Sequence, residues 1–307
     1  MIVNESTSTL ETIRLIDGNP PGAGEPQVVR AQPKPSVTEP AAPASVKRTF
    51  LNAVPIDAIT EKECIDQILA KIEVGEGGFC VTHNLDHIRR LESDPSFASI
   101  CAEADIRTAD GMPVVWLSRF LRMRVPERVA GSSLLHTLSA EAAKKGVSIY
   151  LLGGDEGTAE AAAQTLQRRN PGLIVAGTHY VPFGFEKNDA VMKEMIRELQ
   201  RAAPDIVYVA LGSPKQEILV ARIRKYLPHA WWMGVGISFS YVCGRVKQAP
   251  AWMRNIGCEW LYRMMQEPRR LVGRYLGEGI PFAVWLLGRC IKDYFHNGRH
   301  RQKSHDL

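Results

Sequence analysis

The sequence of 307 residues predicts an α/β protein with a doubly wound, mostly parallel β-sheet. From Thr49 onward, short apolar runs alternate with amphipathic stretches, and Gly, Pro, Asn or Asp separate them. The runs are apolar throughout, which is typical of parallel strands covered by helices on both faces. With 45% apolar and 23% charged residues, the composition excludes collagen-like, fully disordered and multi-span membrane proteins.

Three regions follow from the composition along the chain. Residues 1–46 are rich in Pro, Ala, Ser and Thr and lack apolar periodicity, so we expect a disordered tail. Residues 47–258 carry the alternating pattern and form the predicted α/β body. Residues 259–307 are predicted to form a basic, helical C-terminal appendage.

Each apolar run of the body is assigned to a strand, and each amphipathic stretch to a helix. The predicted strands are 78–82, 105–108, 147–152, 173–177, 205–211 and 231–236. The predicted helices lie near 60–73, 85–92, 95–103, 113–121, 132–145, 157–169, 189–202 and 214–226. Because ligands bind beyond the carboxyl ends of such strands, the segments that follow them are the candidate site.

Polar or glycine-rich clusters follow five of the strands and are expected to meet at one rim of the sheet. These clusters are 82–84, 110–111, 153–155, 212–217 and 237–238. Gly153 and Gly154 precede a helix, where backbone N–H groups would face an anion, or they only form a tight turn. The fingerprints of a dinucleotide fold and of a phosphate-binding P-loop are both absent, which argues against an oxidoreductase.

The cluster at 212–217 leads from a strand through Gly212 and Pro214 into a helix. Lys215, Gln216 and Glu217 occupy its first turn. Lysine and glutamine at this place can bind a phosphate or the edge of a base, and the alternative is a solvated first turn.

Two charged residues are further candidates. Asp110 follows a short strand and precedes a glycine, so its carboxylate either serves as a general base in the cleft or belongs to an ordinary turn. Arg128 either neutralises a diphosphate or pairs with a nearby acid.

Several kinds of site have no motif in the sequence. The histidines show no H-E-x-x-H spacing, there is no D-x-D triplet, and the six cysteines form no C-x-x-C pair, so we expect no bound metal and reduced, mostly buried thiols. No G-x-S-x-G elbow is present, which argues against a hydrolase. No secretory signal is recognisable, and a cytoplasmic location is expected.

The C-terminal end carries most of the positive charge. Residues 245–307 hold 12 Lys and Arg but 5 Asp and Glu, while the net charge of the whole chain is +5. This imbalance predicts an anionic partner such as phosphate, nucleic acid or lipid headgroups. The apolar run at 280–287 is far shorter than the roughly 20 residues needed to cross a bilayer. It either lies in the membrane interface or packs on the sheet or a dimer partner.

In combination, these motifs resemble the WecG/TagA/CpsF family of glycosyltransferases (glycosyltransferase family 26) from about Thr49 to Tyr275. The matching motifs, in order, are Thr82-x-Asn84, Ala104-Asp105 with Asp110-Gly111, Glu127-Arg128-Val129-x-Gly131, Leu152-Gly153-Gly154, Gly212-x-Pro214-Lys215-Gln216-Glu217, Gly234-Val235-Gly236, Ala249-Pro250-x-Trp252, Glu259-Trp260-Leu261-Tyr262-Arg263 and Glu267-Pro268-x-Arg270. Gln248 stands where the family commonly has arginine, with Lys247 or Arg245 as possible replacements.

The resemblance implies a Rossmann-like fold of the GT-E type and transfer of a sugar, with inversion and without a metal or cofactor, from a UDP-sugar to a saccharide on polyprenyl diphosphate. The donors implied are UDP-linked N-acetylmannosamine, its uronic acid, or glucose. A non-catalytic nucleotide-binding module at the membrane is the alternative.

The resemblance also implies the roles of the residues. Asp110 would be the catalytic base, Thr82 and Asn84 would line its pocket, and Gln216 would contact the nucleotide. The cations for the diphosphate and the acceptor would be Arg128, Arg263, Arg270 and Arg274. The appendage would hold the enzyme on the anionic inner leaflet of the cytoplasmic membrane. A homo-oligomer is left open, and no nucleic-acid partner is expected.

Overall fold

A computed structural model describes residues 48–51, 54–121 and 125–303, except the side chains of residues 251, 255, 270, 274 and 293–303. The predicted disordered tail, residues 1–46, lies outside the described residues. The fold below therefore concerns the predicted body and the larger part of the predicted appendage.

The described residues form eight strands in two sheets. In chain order they are β1 (Arg48–Leu51), β2 (Val54–Asp57), β3 (Gly78–His83), β4 (Ile106–Ala109), β5 (Ser148–Gly153), β6 (Ile174–His179), β7 (Ile206–Ala210) and β8 (Trp231–Gly234). β1 and β2 form an antiparallel hairpin. The other six form one sheet in the order β4-β3-β8-β7-β5-β6, and every neighbouring pair is parallel.

The helices connect these strands and continue beyond the sheet. They are α1 (Glu61–Glu73), α2 (Leu85–Ser93), α3 (Pro95–Ala102), α4 (Met112–Phe120), α5 (Gly131–Lys145), α6 (Thr158–Arg169), α7 (Asp189–Ala202), α8 (Lys215–Ile223), α9 (Ser238–Val242), α10 (Ala251–Asn255), α11 (Glu259–Gln266), α12 (Pro268–Val272) and α13 (Ile280–Lys303). Two 3₁₀ turns, Phe185–Lys187 and Arg224–Tyr226, and one π-helical segment, Gly273–Gly279, complete the described elements.

Helices cover both faces of the parallel sheet. On one face, Tyr208 and Met233 belong to a buried cluster with α1, α5 and α6. On the other, Val207 and Trp232 belong to a second cluster with α3, α7 and α8. Alternation of side chains along each strand assigns neighbouring residues to opposite faces. The predicted doubly wound α/β fold is confirmed.

The C-terminal helix α13 packs against the body. Leu286 and Cys290 are buried in a third apolar cluster with the β1–β2 hairpin, α2 and α4. Arg89 of α2 forms an ion pair of 2.8 Å with Glu278, just before α13. The first part of the predicted appendage is therefore attached to the body by apolar burial and by charge.

The sequence did not predict the hairpin or the short helices α9 and α10. Each hairpin strand has only four residues, and Arg, Pro and Asp interrupt its apolar pattern. All six cysteines are free thiols, four of them buried, as expected. Within the described residues, no helix combines the length and apolar character needed to cross a bilayer.

Candidate functional site

A cavity of about 1060 Å³ lies along the carboxyl ends of the parallel strands. The residue or turn that follows each of the six strands contributes to its lining. Residues of α11, the π-helical segment and α13 form a further part of the wall, among them Trp260, Arg263 and Tyr275. The rings of Trp260 and Tyr275 meet edge to face at 6.0 Å. The cavity is thus bounded by the body and by the appendage together.

Most of the predicted site residues line this cavity. They are Thr82, Asn84, Asp110, Arg128, Gly154, Gly212, Pro214, Lys215, Gln216 and Arg263. Gly153 and Glu217 are not part of the lining. The side chains of Arg270 and Arg274 lie outside the described part of the chain.

Asp110 is held at the end of β4. Its backbone N–H donates to the carbonyl oxygen of His83 at 2.8 Å, which ties the end of β4 to β3. Gly111 follows with a φ of +94°, a conformation that glycine adopts without strain and that starts α4. Burial raises the pKa of the Asp110 carboxyl to about 6. The carboxylate is therefore a base whose pKa lies close to neutral pH.

Three charged groups act on the Asp110 carboxyl besides burial. The charge of Arg128 lowers its pKa, that of Glu259 raises it, and that of Arg263 lowers it. Glu259 and Arg263 are four residues apart on α11, which presents them on the same side of the helix. The appendage thus supplies two of the three charges that set the proton affinity of Asp110.

Arg128 is ion-paired with a residue that lies 131 positions further along the chain. Its Nη1 lies 3.2 Å from Oε2 of Glu259, and both side chains are largely buried. The loop that carries Arg128 is fixed to β4, because the N–H of Val129 donates to the carbonyl of Ala109 at 2.8 Å. Arg128 thus pairs with an acid that is distant in the sequence rather than with one in its own loop, and Arg128 also lines the cavity.

Gln216 and Glu217 are buried beneath the cavity rather than solvated. Nε2 of Gln216 donates to Glu217 at 2.7 Å, and its Oε1 accepts from the N–H of Gly236 at 3.0 Å. A Cβ added at Gly234 would lie 2.3 Å from Nε2 of Gln216, so this position has no room for a side chain. For these two residues their burial contradicts the alternative of a solvated first turn. Gln216 fixes the turn that follows β8.

Lys215, in contrast, is partly exposed at the rim. Its Nζ lies 3.1 Å from Oε1 of Glu186 and 4.8 Å from the ring centre of Phe183. The ion pair and the ring contact connect the start of α8 to the segment after β6.

The two glycines after β5 form a tight turn. The N–H of Gly154 donates to the carbonyl of Ala210 at 2.7 Å and is not available to an anion. A Cβ at Gly153 would lie 2.8 Å from Leu211, and one at Gly154 would lie 2.4 Å from Thr158. Close packing explains both glycines, which supports the turn interpretation.

Asn84 has a local structural role as well, since its Oδ1 accepts from the N–H of His87 and caps α2.

The structure adds cavity residues to which the sequence had assigned no role. Glu259 occurs in a matching motif, but its contact with Arg128 has no signal in the sequence. Arg254 lines the cavity next to the appendage and belongs to no chemical motif. The suggested replacements for Gln248 do not line it: Nη1 of Arg245 donates to the carbonyl of Glu156 at 2.8 Å, and Lys247 also lies outside the lining.

The described ranges contain no group of three or more His, Cys, Asp or Glu side chains that could hold a metal ion.

The model of the glycosyl transferase WecG/TagA/CpsF family matches residues 49–295 of the chain. The match includes the parallel sheet, every described cavity residue and most of α13.

Proposed function

Because the chain belongs to the WecG/TagA/CpsF family of glycosyl transferases, we propose that it transfers a sugar from a UDP-sugar to a polyprenyl-diphosphate-linked saccharide. Family membership itself makes the protein a glycosyltransferase of cell-surface polysaccharide biosynthesis. The identity of the donor and acceptor and the inversion at the anomeric carbon are parts of the proposal. The sugar is a hexose or an N-acetylhexosamine-type unit, such as N-acetylmannosamine, its uronic acid, or glucose.

One observation carries the proposal: the Asp110 carboxyl, with a pKa of about 6, lies in the same cavity as Arg128 and Arg263. In an inverting transfer, a single base removes the proton from the acceptor hydroxyl while the nucleotide leaves from the opposite face. At neutral pH most of Asp110 is ionised, and its pKa is close enough to the working pH for efficient proton transfer. Asp110 is the proposed base.

The departing UDP carries negative charge that the protein must stabilise. Arg128 and Arg263 line the cavity with Asp110, and we assign the stabilisation of the leaving diphosphate to them. The fixed guanidinium of Arg128 supports this assignment, because a preorganised cation needs little reorganisation during the reaction. We propose that the reaction requires no divalent metal, and turnover in the presence of a chelator tests this part.

The surface of the appendage supports a place at the membrane. Its exposed large apolar side chains are Leu261, Met265, Val272, Leu276, Ile280, Val284, Trp285 and Leu287. Apolar side chains on a basic surface bind the interface of an anionic bilayer. We propose that this surface contacts the inner leaflet of the cytoplasmic membrane, where a lipid-linked acceptor is available.

The decisive experiment measures UDP release by the full-length protein with a lipid-diphosphate acceptor and a panel of UDP-sugars. Asp110→Asn should abolish turnover and leave the Kd for UDP nearly unchanged, because the amide keeps the shape of the carboxyl but does not accept the proton. Asp189→Asn is the matched control, since Asp189 is exposed at the start of α7. UDP binding without turnover of any donor would instead favour the non-catalytic module, and full activity of Asp110→Asn would refute the assignment of the base.

A further inference from the structure

Five cationic side chains line the described part of the cavity: Arg89, Arg128, Lys215, Arg254 and Arg263. Three of them are ion-paired. Arg89 contacts Asp86 and Glu278, Arg128 contacts Glu259, and Lys215 contacts Glu186. Their charges are largely balanced before any ligand binds.

Arg263 also has acidic neighbours. Burial lowers the pKa of its guanidinium, but neighbouring acidic groups, among them the carboxylates of Glu259 and Glu267, outweigh this and raise it. Its positive charge is therefore stabilised by the protein itself.

Arg254 differs from these four residues. Among the described residues it has no ion-pair partner, and its Nε is buried without a hydrogen-bond partner. A guanidinium has five N–H donors and cannot lose its proton at physiological pH. A buried donor without a partner destabilises the folded protein, so such groups in native proteins call for an explanation. Because Arg254 lines the cavity, an anion bound there would supply the missing countercharge.

The backbone around Arg254 is firmly fixed beside the segment that carries Asp110. The N–H of Arg254 donates to the carbonyl of Pro250, and its own carbonyl accepts from Gly257, both at 3.1 Å. A Cβ added at Gly257 would lie 2.8 Å from Cβ of Met112, so the turn that follows α10 is in close contact with the start of α4. Met112 and Gly257 both line the cavity.

We propose that Arg254 binds a diphosphate group in the cavity and is a ligand-binding residue of the enzyme. A diphosphate offers several anionic oxygens to the planar guanidinium, which can make two parallel hydrogen bonds with it. The choice of a diphosphate rests on the proposed function. The same group occurs in the nucleotide donor and in the lipid acceptor, and the binding measurements below distinguish the two.

The test compares ligand binding by the wild-type protein and Arg254→Gln, using calorimetry with UDP, a short-chain prenyl diphosphate, inorganic pyrophosphate and uridine. Loss of a charge-assisted contact should raise the Kd for the diphosphate concerned by about 10- to 100-fold. Uridine binding should stay unchanged, because uridine has no phosphate. An effect on UDP alone assigns Arg254 to the donor, and an effect on prenyl diphosphate alone assigns it to the acceptor.

Two further variants keep the test decisive. Arg197→Gln removes one exposed positive charge from α7 and should leave all affinities unchanged. If Arg254→Gln melts below the wild type, Arg254→Lys takes its place, and we expect it to bind the diphosphate with intermediate affinity because it keeps the charge and loses the bidentate geometry.

The outcomes separate this inference from the proposed function. If the wild type binds UDP and prenyl diphosphate and Arg254→Gln binds both equally well, the inference is wrong while the proposed function stands. If pyrophosphate binding depends on Arg254 but no donor is ever turned over, the inference stands and the proposed reaction is wrong. If the wild type binds no diphosphate at all, both are wrong.

Discussion

The activity of the enzyme should fall as the pH is lowered through about 6, because proton transfer requires ionised Asp110. With that pKa, about nine tenths of the carboxyl groups are ionised at pH 7 and about one tenth at pH 5. The acid limb of kcat/KM should therefore have its midpoint near 6, well above the usual range of an aspartate.

Glu259→Gln is the perturbation that tests the physical origin of this pKa. The negative charge of Glu259 raises the pKa of Asp110, while Arg128 lowers it. Removing the carboxylate of Glu259 eliminates the first effect and leaves Arg128 without its ion-pair partner. Both changes favour the ionised form of Asp110, so the acid limb should move to lower pH by about 0.5 to 1 unit.

The assay is UDP release as a function of pH at low donor concentration, from which kcat/KM is obtained. Glu278→Gln is the control. It breaks the ion pair between Arg89 and Glu278, which also joins the body to the appendage, and the half-exposed Glu278 is not among the groups whose charges shift the pKa of Asp110. We expect its acid limb to coincide with that of the wild type.

Two results would refute the reasoning. A wild-type limb with a midpoint near 4 would mean that burial does not raise the pKa of the catalytic group. A limb of Glu259→Gln that stays in place or moves to higher pH would mean that Glu259 does not act on Asp110 through its charge.

Three further predictions concern stability and membrane binding. Asp110→Asn should raise the free energy of unfolding at pH 7 by about 1–3 kcal/mol, because the raised pKa of Asp110 makes the wild-type fold lose stability as the pH rises from about 4 to 6. Urea denaturation of both proteins at pH 4 and 7 checks this. Equal midpoints of wild type and variant at pH 7 would contradict it. Gly234→Ala should lower the free energy of unfolding by about 1–3 kcal/mol, because its Cβ would overlap the doubly hydrogen-bonded amide of Gln216, and an unchanged midpoint would show that this amide can move aside. Val284→Asp should weaken sedimentation with phosphatidylglycerol vesicles, because Val284 is 67% exposed on α13, whereas Val74→Asp on the body should not; equal effects would contradict the proposed membrane surface.

The sheet could be predicted because its strands are buried on both faces. Runs such as 205–211 contain almost only apolar residues, and the helices between them have a clear amphipathic repeat. The hairpin of β1 and β2 could not be predicted, because Arg48, Pro55 and Asp57 interrupt the apolar pattern of its short strands. The ion pair of 2.8 Å between Arg48 and Asp57 depends on the fold and has no signal in the sequence. Local pattern predicts an element only where one kind of environment persists along it.

The position of the cavity could be predicted from the parallel topology of the sheet, but the arrangement of its charged residues could not. Asp110 was identifiable because it ends a strand of a parallel sheet, where ligands bind. The contact between Arg128 and Glu259 joins residues that are 131 positions apart, and neither has a spacing that indicates the other. Arg254 had no signal at all, because the lack of a partner is a property of the folded surroundings. Gly153 suggested an anion-binding turn in the sequence, but the close packing of Leu211 against it explains why this position is a glycine.

The shared wall of the cavity also bears on the biosynthesis of the protein. Glu259 and Arg263 follow all six parallel strands in the sequence and therefore leave the ribosome after them. A nascent polypeptide that ends before residue 259 has Asp110 but lacks both of these neighbours, so the proton affinity of its carboxyl differs from that of the finished protein. Termination of translation between the last parallel strand and residue 259 would thus yield a product that has Asp110 without these two charges.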